Sequence, residues 1–405
     1  RQSQSSGLSF PTILRLSMGF TGARYVGMIR GIVGLFMFGV QTFFISKSLG
    51  YIARIILFKI DNQILQTDLL LMFFFGLNLI DWLCLFLTLI IQYVLFTKGQ
   101  YFLKSFINFS GLFIYFGLTI LLIIILSEYF TELVNGLKLS LVFSSFQIKP
   151  NIVPIVSIAG TLFAYFAIVL LTFGDFSRYS RNYKEMTKGN LSIILNLILF
   201  SFFSVLITLG SDIILTSKGL KASSLLTNPN DIVGKFNNNF LTLFCLIFII
   251  VSSLSTNLIA NYVPSQNTLI NFFPNSLTLK KTGIVIAIVG LIISTFWLSI
   301  FSKGNVLIFV EAVATTFGPI FGVLVADYYL FKKQQINHKE LFYPKESTEY
   351  IYNNGWNYKA LYALLVGFIF SLSTLLNENL IQYQSFGWII GAFISYIVYY
   401  LLNNK

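Results

Sequence analysis

The sequence predicts an all-α polytopic membrane protein, and three observations carry that expectation. Of 405 residues, 56% are hydrophobic and only 10% charged, against roughly 25% charged residues in a soluble domain. Mean hydropathy is +0.79. The apolar residues run on for about 20 positions at a time, the length a helix needs to cross a bilayer, without the alternation of a barrel strand. Lipid offers no hydrogen bonds, so only helices and closed barrels satisfy their backbone there. This composition excludes soluble enzymes, disordered scaffolds and nucleic-acid binders. The net charge of +12 arises from Lys and Arg in short segments between apolar runs, where it reports topology rather than an acidic partner.

Ten spans follow in order. The run 31–52 opens after Arg30, and 69–96 carries Asp81 and ends before Lys98. The run 110–126 follows Lys104, and 152–173 is interrupted by Gly160 and stops before Arg178. The run 191–215 follows Lys184 and Lys188, and 240–263 follows Lys235. The run 282–301 follows Lys280 and Lys281, and 305–331 lies between Lys303 and Lys332. The runs 358–376 and 385–402 complete the set. The chain then divides into an N-terminal segment 1–30, a core 31–331, a loop 332–357 and two peripheral helices 358–405. An even number of spans puts both ends on one side. With the N-terminal segment inside, 18 of the 27 Lys and Arg residues fall on cytoplasmic segments, so the positive-inside rule places both ends in the cytoplasm, most simply at the plasma membrane.

Ionisable groups within spans are costly and mark candidate functional sites. Asp81 and Glu311 lie deep enough to bind a cation or a proton, or to pair structurally. Asp327, beside Tyr328 and Tyr329, reads as an interfacial anchor, and Asp212 as a wet residue near a helix end. Cys84 and Cys245 show neither metal-ligand spacing nor a disulfide framework. The single histidine, His338, and the lack of a phosphate loop or nucleophile elbow argue against a membrane-embedded enzyme. No cofactor is expected.

Polar clusters on apolar helices say more. Ser252, Ser255 and Thr256 share one helix face, where hydroxyl oxygens suit a hard monovalent cation or act as glue between helices. Asn257 and Asn261 stand one turn apart, and Gln41 carries another amide one turn after Met37. A buried amide must find partners, and its donor-plus-acceptor edge matches a planar amide-containing ligand. Gly160, followed by Tyr165 and Phe166, has the form of a discontinuous transporter helix.

These segments resemble the nucleobase–cation symporter-1 family. LSFPTILRLSMGFTGARYVGMIRGIVGLFMFGVQTFF is similar to its second-to-third helix connection and third helix. FGDFSRYSRN resembles P-D-F-[ST]-R-[YF]-x-[KR], with Gly174 where Pro is usual. STNLIANYVPSQN resembles S-T-N-x-x-A-N, and GPIFGVLVADYYLFKK resembles G-P-I-x-G-[VI]-x-[IL]-x-D-[YF]-[YW]-L. LFYPKESTEYIYNNGWNYKALYALLVG is similar to an element of the uracil, allantoin and hydantoin permease branch. The resemblance implies a LeuT-like inverted-repeat fold of twelve transmembrane helices, of which ten are present and the first two missing, in keeping with Arg at position 1.

It also implies a cation-coupled symporter for a nucleobase or cyclic ureide, with Na+ or H+ as the coupling ion and the lipid bilayer as its other partner. Gln41 and Asn261 become amide partners of a flat ring. Phe166 and Met37 take the places of two stacking tryptophans, so one aromatic face is replaced by a thioether. Ser252, Ser255 and Thr256 fall on the cation site. A transporter of another small substrate, such as a nucleoside, vitamin precursor or amino acid, and a non-transporting sensor or degenerate relative are the alternatives.

Overall fold

The protein is seen here as a computed structural model, which describes residues 2–404 apart from 62, 141–151, 218–232, 234–238, 298–305 and 343–347. Of the topology charges, Arg1, Lys149, Lys218, Lys221, Lys235, Lys303, Lys345 and Lys405 lie outside the described residues, as do the facing ends of the 282–301 and 305–331 spans. The helices are α1 (Phe10–Ile60), α2 (Leu79–Phe96), α3 (Gln100–Ser140), α4 (Ile152–Leu171) and α5 (Tyr183–Ser217). They continue as α6 (Asn239–Phe272), α7 (Leu279–Phe296), α8 (Val306–Ala326), α9 (Tyr358–Leu376) and α10 (Gly387–Asn403). Among the described residues, nine helices are long and apolar enough to cross a membrane, and the tenth apolar stretch, Ile158–Leu171 of α4, is shorter.

α1 is the spine of the molecule. Its first turns bury Phe10, Leu14 and Met18 against Val313 and Phe317 of α8, Ala360 of α9 and Tyr399 of α10. Its second half buries Leu35, Phe38 and Phe43 against Leu85 of α2, Tyr262 of α6 and Ile286 of α7. Outside this second cluster, α3 and α5 pack on α6 through Leu121, Ile207, Cys245 and Leu246. Cys84 and Cys245 are both free and buried.

The first span begins earlier than the hydropathy suggests. α1 starts at Phe10 rather than at residue 31, with Pro11 in its first turn, where the missing N–H costs nothing. Arg15, Arg24 and Arg30 depress the hydropathy of this stretch, but two of them are neutralised by partners far along the chain. Arg15 donates to Leu341 O at 2.8 Å and to Asn271 Oδ1 at 2.7 Å. Arg30, 1% exposed, donates to Ala260 O at 2.5 Å.

Gly19 breaks α1 with φ 81 and ψ 172, a conformation open almost only to glycine. The break is strapped by the loop before α9. Thr21 and Gly22 donate their N–H groups to Gly355 O at 2.8 and 3.1 Å, and Asn357 donates its N–H to Met18 O at 3.0 Å. Tyr352 donates its hydroxyl to Leu16 O at 2.6 Å, and Asn357 Nδ2 donates to Ser17 O at 2.7 Å. Trp356 stacks on Tyr25 with centroids 5.4 Å apart. The Tyr350–Tyr352–Gly355–Asn357 element of the sequence is therefore a clamp on the α1 break, and the 332–357 region is packed rather than a free loop.

Two of the costly carboxylates are held structurally. Asp81 caps α2 with Asn78 and pairs with Arg54 at 2.8 Å and Lys47 at 3.1 Å. Those partners lie on α1, which continues to Ile60 instead of stopping near residue 52. Asp327 opens a π-helical turn (Asp327–Phe331) at the end of α8. It accepts from Ser17 Oγ at 2.9 Å and from Tyr399 OH at 2.8 Å, which ties α8 and α10 to the strapped break. Asp212 is half-buried near the end of α5.

Candidate functional site

α1 and α6 cross where both are rich in small residues. A Cβ on Gly31 would sit 2.9 Å from Thr268 Cγ2, and Ser265 Oγ donates to Gly31 O at 3.4 Å. Such residues let helix backbones approach closely in a membrane. Just beyond this crossing, α6 widens into a π-helical segment (Asn257–Tyr262). π-turns leave a carbonyl without its usual partner and recur at functional sites. Arg30 serves Ala260 O, in the middle of this segment.

The widened turn brings amides together. Asn261 Nδ2 donates to Gln41 Oε1 at 3.0 Å and to Asn257 Oδ1 at 2.9 Å. Asn257 Nδ2 donates to Phe38 O at 3.3 Å and to Thr42 Oγ1 at 3.4 Å. Thr42 Oγ1 shares its proton between Phe38 O at 2.7 Å and Gln92 Oε1 at 3.0 Å. The result is a chain of polar side chains from α1 through α6 to α2. Asn257, Thr42 and Gln92 are almost wholly buried, and Gln92 Nε2 has no partner among the described residues. Gln41 is only half-buried. With Gln41 Oε1 and Asn261 Nδ2 facing each other, the pair keeps one N–H donor, on Gln41 Nε2, and one acceptor, Asn261 Oδ1, for a ligand.

The other sequence-predicted residues fall around this pair to different degrees. Met37 is half-buried on α1, one turn before Gln41. Phe166 is half-buried on α4, its ring edge-on to Tyr165 at 5.5 Å. α4 packs chiefly against α8, with Ala164 and Ala167 against Ala314 and Trp388. Ser255 is buried, Ser252 half-buried and Thr256 exposed. Ser255 Oγ and Thr256 Oγ1 both donate to Ser252 O, at 2.9 and 3.0 Å. Their protons are thus spent on the helix backbone, which turns the hydroxyl lone pairs outward.

Sequence reasoning did not reach Thr42, Gln92 or Arg30. Only the chemical rule that a buried polar group needs a partner pointed at them, and their partners are 50 or more positions away. Asp175 was also missed, although it sits inside the FGDFSR motif. It belongs to a one-turn helix, Phe173–Ser177, beyond the end of α4. Its Oδ1 accepts from Phe10 N and Asn267 Nδ2, both at 3.0 Å, while its buried Oδ2 has no partner among the described residues. The carboxylate thereby joins the ends of α1, α4 and α6. Gly174 allows the turn to approach the N-terminal helix, since a Cβ there would lie 2.7 Å from Ser3 Oγ.

Burial pushes the Asp175 carboxyl up to about 6, against the opposing pull of the Phe10 N–H and of Arg178 and Arg30. A folded-state value above the unfolded one means that the neutral form fits the site better. The contribution of this group to stability is full below the ordinary carboxylate value and is lost as pH rises through about 6. The shift corresponds to about 3 kcal/mol in favour of the neutral form. Asp175→Asn keeps the acceptor for both N–H donors and removes the charge. In detergent-solubilised protein it is expected to raise the melting temperature at about pH 7.5, with the gain shrinking by about half at pH 5. A gain independent of pH would refute the assignment.

Ten apolar helices carrying a buried amide cluster at the α1–α6 crossing define a multi-pass membrane protein of the helix-bundle permease class. Residues 1–399 match the family described as permeases for cytosine/purines, uracil, thiamine and allantoin, and the chain belongs to that family. It is 25% identical to a purine-uracil permease of Arabidopsis thaliana over 98% of this chain and 66% of the relative. It is 24% identical to an allantoin permease of Bacillus subtilis (strain 168), over 98% of this chain and 77% of that one. Its fold matches that of Mhp1, a nucleobase-cation-symport-1 family transporter solved in a closed conformation with bromovinylhydantoin bound. The TM-score there is 0.72 at 20% identity, covering 98% of this chain and 79% of the other. The fold is therefore the LeuT-like one that the sequence motifs implied.

Proposed function

We propose that the protein is a secondary-active transporter that imports a nucleobase or a related cyclic ureide, such as uracil, allantoin or hydantoin, with Na+ or H+ as the driving ion. The observation that carries this reading is the Gln41–Asn261 pair, bonded at 3.0 Å and leaving one donor and one acceptor side by side. An imide or ureide ring presents the complementary acceptor and donor along one edge. Phe166 and Met37 supply the apolar faces of the site, and Ser252, Ser255 and Thr256 the oxygen ligands of the cation. The family membership and the relatives named as purine-uracil and allantoin permeases support the same substrate class.

In operation, a cation held by the hydroxyl face of α6 biases the protein toward the state that admits substrate. It can do so only through a difference in affinity between the two states. The amide pair lies one turn further along the same helix, so ion and ring address one rigid element. Alternating access then moves one group of helices against the other around a site at mid-span. The basic segments support cytoplasmic ends and a plasma-membrane location.

Uptake of radiolabelled uracil, allantoin and hydantoin, with Na+ and pH varied separately, tests this reading. Saturable uptake of one of the three, stimulated by either ion gradient, is expected. Failure with all three would return the protein to the alternatives of another substrate or a non-transporting relative.

A further inference from the structure

We infer that Glu311 is a proton-binding site inside the helix bundle, caged so that both its ionised and its neutral form are fully hydrogen-bonded. Glu311 lies early in α8 and is 6% exposed. Thr161 Oγ1 of α4 donates to its Oε1 at 2.9 Å, and Ser385 Oγ donates to the same atom at 3.0 Å. Gln384 Nε2 donates to Oε2 at 2.5 Å. Three donors from two separate elements thus surround one carboxylate, and all three are neutral.

The surroundings leave the charge uncompensated. None of the ion pairs among the described residues includes Glu311. On the elements packed against α8, the titratable groups are Tyr165 of α4, Glu378 and Tyr383 of the Glu378–Phe386 connection, and Tyr396 and Tyr399 of α10. α9 adds Tyr358, Lys359 and Tyr362, and α1 adds Arg15, Arg24 and Arg30. Glu378, Lys359 and Arg24 are exposed. Arg15 and Arg30 are spent on backbone carbonyls elsewhere. Asp327, on α8 itself, is tied to Ser17 and Tyr399.

The chemistry of the cage distinguishes it from the other buried carboxylates. Asp81 faces two cations, which hold it ionised, and Asp175 faces N–H groups that can only donate. Around Glu311 two of the three partners are hydroxyls, which donate or accept by rotation. Their oxygens are also 3.3 Å apart, close enough to bond to each other. When a proton from water adds to Oε1, the new O–H donates to one hydroxyl oxygen, that hydroxyl turns to its neighbour, and Gln384 goes on donating to Oε2. No heavy atom moves, no other bond changes, and neither form leaves a buried polar atom unpaired. Because the cage joins α8 to α4, which carries Phe166, its proton count bears on the helix that flanks the proposed substrate site. The inference names a proton site within the transporter reading above, but its test does not require transport.

Infrared difference spectra of the reconstituted full chain, between about pH 5 and about pH 9, read the carboxylic acid C=O stretch of buried groups. A titrating band is expected in the unmodified protein and its loss in Glu311→Gln. Thr161→Val removes one donor to the anion and is expected to move the midpoint to higher pH. A spectrum unchanged by Glu311→Gln, or a midpoint indifferent to Thr161→Val, overturns the proposal. Should Glu311→Gln fail to fold, the band of the unmodified protein and its shift in Thr161→Val still decide. Uptake assayed on the same preparations separates the two readings, since a protein with the band but no uptake retains the proton site and loses only the transporter assignment.

Discussion

Asn261→Ala is expected to weaken binding of the ring substrate by about 10- to 100-fold and to abolish its concentrative uptake. Asn261 Nδ2 is the donor that holds Gln41 Oε1 and Asn257 Oδ1 in place. Its removal takes away the ligand's donor-accepting partner, Asn261 Oδ1, and frees Gln41 to turn. It also leaves Asn257 Oδ1 without its donor at a fully buried position. An orphaned buried acceptor costs about 1–3 kcal/mol, and every 1.4 kcal/mol is about tenfold in affinity. Gln41→Ala is expected to cost a similar amount. The double variant then falls well short of the sum of the two, because both single changes break the same bond. Equilibrium binding of radiolabelled ligand to purified protein measures all three. An affinity within about twofold of the parent in Asn261→Ala would show that the amide pair does not hold the ligand.

Gly19→Ala is expected to be the most damaging single methyl group that can be added to this protein. The residue has φ 81 and ψ 172, and holding a side chain there costs about 1–3 kcal/mol in strain alone. The new Cβ would lie 2.5 Å from Gly355 O, the atom that accepts from Thr21 N and Gly22 N. Relief of that clash pushes the clamp off the break and costs those two bonds as well. A total of about 3 kcal/mol or more follows, read as a fall in melting temperature and in folded yield. The neighbouring Gly22 is the internal control. Its Cβ would meet Met18 Cβ at 3.3 Å and the Trp356 ring at 3.5 Å, contacts that small side-chain shifts relieve, so Gly22→Ala is expected to cost far less. Equal losses at the two positions would mean that the strap is not what Gly19 protects.

Much of this architecture was legible before any coordinates. The hydropathy runs located all ten helices, because burying an apolar helix in lipid is a local property of about 20 residues. The amides of Gln41, Asn257 and Asn261 stood out for the same reason, as polar groups on apolar helices. What could not be seen was every assignment that depends on a partner distant in sequence. Arg30 looked like a loop charge until Ala260 O was found beside it. Asp81 looked like an ion site until Lys47 and Arg54 proved to lie on the same side of an extended α1. The Tyr350–Asn357 motif marked a permease branch, yet its physical work is to clamp a helix break more than 330 positions away.

The sequence by itself thus determined the class of protein, the number of helices and the side chains with the right chemistry for a flat amide ligand. Composition and periodicity act within one helix, and a motif is read within one segment. The tertiary structure alone decided which of those polar groups are already satisfied and which still face a ligand or a proton. It matched Asp81 to two cations, Asp327 to two hydroxyls, and Glu311 to a cage of neutral donors. It also joined Gln41 to Asn261 across 220 positions of chain. In a bilayer the cost of a polar group is set by whether it has a partner, and partners are a property of packing.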